Sequence, residues 1–104
     1  MQRFTGIAAA PPLSAAATYT LFDPGTSDVC LDLVVISTDN PQWVTVGFGP
    51  TALPLFVGPG GVALDMHSAR LSDFNAIGRP ITLTMSLAGG LGALVTGAYI
   101  PVGS

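Results

Sequence analysis

The sequence predicts an all-β protein, a small antiparallel β-sandwich or barrel of about seven or eight strands with an extended N-terminal arm. Three observations lead there. Residues 43–48 and 81–87 alternate between apolar and small or polar side chains with a period of two. Glycine and proline, 13 and 9 of the 104 residues, cut the chain into short pieces. No stretch carries the apolar spacing of a long helix. The length fits one domain with a modest core.

Residues 1–16 read as the arm and residues 17–104 as the sandwich domain. Pro11-Pro12 holds the backbone extended and stops any helix. Phe4, Ile7 and Leu13 are spaced apolar anchors on a thread of Ala, Gly and Pro. Two readings are open for it: a floppy terminus, the default for chain ends, or an arm that lies on a neighbouring molecule with Phe4, Ile7, Pro11, Pro12 and Leu13 as contacts.

Thr18–Phe22 is β-branched and aromatic, hence a strand. Asp23-Pro24-Gly25-Thr26-Ser27-Asp28 is a turn in which the Asp side chains bond the local backbone. Val29–Thr38 follows as the most apolar run, with Val29, Leu31, Leu33 and Val35 expected on one face. After the turn 39–42, Trp43–Phe48 puts Val44, Val46 and Phe48 on the core side and Trp43, Thr45 and Gly47 on the other. Trp43 is therefore the expected contact on the body of the domain. Thr51–Pro54 reads as a loop, Leu55–Val57 as a short strand, and Gly58-Pro59-Gly60-Gly61 as a tight reversal into Val62–Met66. Residues 67–78 fit either a short helical turn or a strand. Ile81, Leu83, Met85 and Leu87 point inward from the cleanest alternating strand, and Ala93–Ile100 closes the chain.

Charge narrows the function classes. Three Arg, six Asp and no Lys or Glu leave 9% of the chain charged, against about 25% in ordinary domains. A surface so poor in ions points to a stable assembly, the alternative being a monomer coated with Ser, Thr and Asn. The net charge of −3 and the wide separation of Arg3, Arg70 and Arg79 argue against a nucleic-acid partner. Residues 1–17 imitate a secretion signal, but Thr5, Gly6, Pro11, Pro12 and Ser14 interrupt its apolar middle. Residues 81–104 lack charge, yet Thr, Ser, Gly and Pro break them into pieces too short to span a membrane. No membrane partner is expected.

No residue set announces chemistry, so no enzyme, cofactor or metal is expected. His67 is the sole histidine, with Asp65 two residues away, and no serine lies in a Gly-x-Ser-x-Gly elbow. Asp23 and Asp28 flank one turn, where capping is a simpler task than holding calcium. The 58–61 turn lacks the Lys-Ser/Thr ending of a phosphate loop. Cys30 has no second cysteine to pair with, and its place in an apolar run suits a packed or partner-facing thiol rather than a nucleophile. Trp43 and Tyr19 are the two aromatics from which a sugar platform would be built.

Residues 33–78 carry a resemblance. Leu33-Val34-Val35-Ile36-Ser37-Thr38-Asp39-Asn40 is followed by Trp43-Val44-Thr45-Val46-Gly47-Phe48-Gly49, Leu55, the Gly58-Pro59-Gly60-Gly61 turn, Val62-Ala63-Leu64-Asp65, and Phe74-Asn75-Ala76-Ile77-Gly78. This pattern resembles small virion proteins of tailed bacteriophages, which are β-sandwich or barrel modules. The resemblance implies a structural virion protein, with a capsid decoration (cement) protein favoured. It would bind the major capsid protein or another virion protein at the capsid surface as a homo-oligomer, a trimer favoured. Head–tail adaptors, tail proteins and fibre bases use similar modules. The reading from a different class is a carbohydrate-binding β-sandwich.

Overall fold

The computed structural model describes residues 2–10 and 17–101. Eight strands are present among them: β1 (Arg3–Ala10), β2 (Thr18–Phe22), β3 (Val29–Thr38), β4 (Gln42–Phe48), β5 (Thr51–Val57), β6 (Val62–Arg70), β7 (Ile81–Met85) and β8 (Leu91–Tyr99). They form two four-stranded antiparallel sheets, sheet I in the order β1-β8-β3-β6 and sheet II in the order β2-β7-β4-β5. The pairs β4–β5, β3–β6, β2–β7 and β1–β8 nest outward from one hairpin, and successive pairs alternate between the sheets. This is a β-sandwich with the wrapping of a jelly roll.

The alternation of β4 builds the middle of the core. Val44, Val46 and Phe48 are fully buried, as are Ile81 and Leu83 on neighbouring β7. Each such side chain contributes about 1.5–3 kcal/mol on burial. Val34, Ile36 and Val95 face them from sheet I.

Four segments differ from their sequence expectation, each for a physical reason. The first is the arm: residues 3–10 are a strand in unbroken register with β8. Phe4 is not a contact for a neighbour, because its ring stacks on Phe22 at 4.1 Å and tilts against Tyr99 at 5.3 Å inside the sandwich. Gly97 makes room for this ring, since a Cβ there would collide with the Cys30 carbonyl and lie 2.8 Å from Phe4 Cζ. Pro11, Pro12 and Leu13 lie outside the described residues.

The second is β3. A bulge between Leu31 and Leu33 shifts its register against both β6 and β8. The extra residue reverses the phase of the strand. Val29 and Leu31 point inward, but beyond Asp32 the inward residues are Val34 and Ile36. Leu33 and Val35 are consequently half-buried on the outer face.

The third is β5, which begins at Thr51 and runs through Pro54. Proline is tolerated because β5 is an edge strand and Pro54 sits opposite Thr45 at a pair that makes no ladder bonds. The fourth is Leu87, expected inward and found 54% exposed. β7 ends at Met85, and the Leu87 N–H is drawn instead to Gln42 Oε1 at 2.9 Å.

Between β6 and β7 the chain makes a 3-10 turn, Leu71–Phe74, rather than a strand. Asp28 ties it down by accepting the Ser72 N–H at 3.1 Å and the Ser72 hydroxyl at 2.8 Å. Leu71 is buried beneath, and Phe74 stacks on Phe48 at 4.8 Å.

Candidate interaction surface

Pair register assigns the outer face of sheet II residue by residue. Trp43 stands opposite Phe56. Thr45 has Pro54 on one side and Thr84 on the other, and Gly47 likewise has Ala52 and Thr82. Thr84 and Thr82 continue into Thr18 and Thr20 on β2. None of these residues is charged. The face is a sheet of threonine, glycine, alanine and proline, with an aromatic pair at one end. The outer face of sheet I differs, carrying Arg3, Asp65 and Arg70 in its register, with Asp32 held by Arg3.

Two close approaches keep the uncharged face low and regular. Thr82 Oγ1 lies over Gly47, where any Cβ would collide with it. The Thr18 and Thr84 hydroxyls share a hydrogen bond at 3.0 Å. Above this floor rise Trp43 and Phe56, 54% and 58% exposed. Their ring centroids are 5.4 Å apart and the planes meet at 72°, an edge-to-face pair. Ser86 stands beside the pair at the end of β7, its N–H bonding the Trp43 carbonyl at 3.0 Å.

The expected site residues are therefore dispersed. Trp43 lies opposite the core, as its alternation implied. Ile7 is exposed, but on the outer face of sheet I. Tyr19 packs against the core on the inner side of β2 and shares no platform with Trp43. Phe56 and Pro54 were missed as surface residues: β5 is apolar on both sides, and only pairing with β4 shows which side faces out.

The polar clusters serve the fold. Asp65 Oδ1 accepts the His67 N–H at 2.9 Å and lies 3.7 Å from His67 Nδ1, both side chains being well exposed. His67 and Ser68 have φ of 50° and 59° and form the bulge of β6 that answers the one in β3. Asp23 accepts the Gly25 N–H at 2.9 Å, and Asp28 accepts the Val29 and Ser72 N–H groups and the Ser72 hydroxyl, so both carboxylates are taken up by hydrogen bonds within the fold. No metal-holding group of three His, Cys or Asp residues occurs among the described residues. No helix among them is long and apolar enough to cross a membrane.

One open groove, about 510 Å³, lies at the sandwich end between Ser37–Asp39, Pro59 and Gly90–Gly92. Its carboxylate is committed: Asp39 Oδ2 accepts the Gly90 N–H at 3.0 Å while the Asp39 N–H donates to the Gly90 carbonyl at 3.2 Å. These bonds clamp the β3–β4 and β7–β8 turns together. Comparison with protein-family models and with curated proteins finds no match to this sequence.

Proposed function

We propose that the protein is a structural virion component, a capsid decoration (cement) protein. It packs the outer face of sheet II onto the major capsid shell and acts as a homo-oligomer. The observation that carries this reading is the charge-free outer face, capped by the exposed Trp43–Phe56 pair. A flat face without ions loses little hydration energy when a protein surface covers it, and aromatic anchors supply most of the gain. The jelly-roll wrapping supports the reading as an architecture shared with viral capsid domains. On its own that analogy carries no function.

The mechanism is burial of apolar surface. Covering the exposed halves of Trp43 and Phe56 contributes about 1 kcal/mol each. Four strands roughly 4.8 Å apart make a face smaller than the ~800 Å² per partner of a stable complex. One copy alone binds weakly, and stable occupancy requires several faces linked in one oligomer.

Quantitative mass spectrometry of purified particles from the same genome tests the assignment. The chain is expected in fixed ratio to the major shell protein. Its absence from the particles overturns the reading. A carbohydrate-binding role would use the same Trp43 beside the Thr45 and Thr84 hydroxyls. Glycan-array binding that disappears in Trp43→Ala would favour it over shell packing.

A further inference from the structure

The two sheets have four free edges among the described residues, and three are blunted. β5 carries Pro54 at mid-strand. Its nitrogen faces away from β4, because the Ser86-to-Trp43 bond sets the odd residues of β4 toward β7 and the even ones toward β5. β6 is broken by the left-handed His67 and Ser68. β2 has five residues and a register shift between Thr20 and Phe22. Short length, proline and bulges are the devices that keep edges from pairing. β1 has none of them: eight residues, no register shift, and one charge, Arg3, already held by Asp32.

The groups that β1 leaves open can be named. The Tyr99 N–H bonds the Gln2 carbonyl at 2.8 Å, and bonded pairs alternate along an antiparallel ladder. Even-numbered residues of β1 therefore bond β8. The N–H and C=O of Arg3, Thr5, Ile7 and Ala9 point to the free edge.

We propose that a second copy of this chain pairs with this edge, β1 against β1, antiparallel about a two-fold axis at Gly6. In that register Arg3 of each copy faces Ala9 of the other, and Thr5 faces Ile7. All four N–H and all four C=O groups on each edge are then used. The lone charge meets a methyl group rather than its own copy, and a β-branched pair forms on both sides of the axis. Gly6 faces inward, where a Cβ would lie 2.8 Å from Phe22 Cβ, so the axis passes through a position with no side chain. The two copies of sheet I become one continuous sheet. The axis stands perpendicular to that sheet, so both outer faces of sheet II, with their Trp43–Phe56 pairs, are presented on the same side. The dimer needs no shell partner to form, so it stands or falls separately from the assignment to a virion.

The test is the native mass of the full chain against concentration, by sedimentation equilibrium. Wild type is expected to be a dimer. Ile7→Pro removes an N–H that points only to the free edge and leaves the bonds to β8 intact. It is expected to weaken dimerisation roughly tenfold to a hundredfold with an unchanged circular dichroism spectrum. In a Cys30→Ser background, mixed Thr5→Cys and Ile7→Cys chains are expected to form a disulfide-linked dimer faster than either alone, which tests the register even where the proline variant fails to fold. A monomeric wild type overturns the proposal. So does a dimer unaffected by Ile7→Pro, or cross-linking no faster in the mixture than in the separate chains.

Discussion

Trp43 and Phe56 face each other across β4 and β5, edge to face with ring centroids 5.4 Å apart, on the side of sheet II that has no core. Both rings remain more than half exposed. Trp43→Ala is therefore expected to lower stability by only about 0.5–1.5 kcal/mol, the worth of an aromatic pair. Urea denaturation measures this against Val46→Ala, which empties a fully buried site and is expected to cost about 2–4 kcal/mol.

Phe4 behaves as core. Phe4→Ala removes a ring stacked on Phe22 and is expected to cost about 3–5 kcal/mol in a thermal or urea melt. Deleting residues 1–10 is expected to unfold the domain, because it strips β8 of one of its two partners along the whole ladder and removes Phe4 from the core.

Gly97→Ala tests the space that admits Phe4. Its methyl group would meet the Cys30 carbonyl on one side and the Phe4 ring on the other. The expected loss is about 1–3 kcal/mol by denaturation. Gly60→Ala, at a position with nothing within 4 Å, serves as the neutral control.

Asp28 joins the β2–β3 turn to the 3-10 turn through Ser72. Asp28→Ala is expected to cost about 1–2 kcal/mol. Amide hydrogen exchange should show faster exchange at Ser72 and Val29, whose N–H groups both lose their acceptor.

Where one side of a strand is clearly apolar and the other is not, the architecture is legible in the sequence. β4 and β7 are such strands, and Trp43 is assigned to the outside by the alternation alone. β1 escapes notice because its inward residues after Phe4 include Gly6 and Ala8, so small side chains hide the period. β3 is apolar on both sides, so no pattern marks the bulge that turns Leu33 and Val35 outward. The same ambiguity hides Phe56. Its exposure follows from pairing with Trp43, a contact between strands that composition does not encode.

Co-sedimentation with purified shells of the major capsid protein, comparing wild type with Trp43→Asp, tests the docking face most directly. Wild type is expected to pellet with the shells. Trp43→Asp, folded to the same circular dichroism spectrum, is expected to stay in the supernatant, because it places a charge in the aromatic anchor of the contact. If Trp43→Asp pellets as fully as wild type, the outer face of sheet II is not the surface that meets the shell.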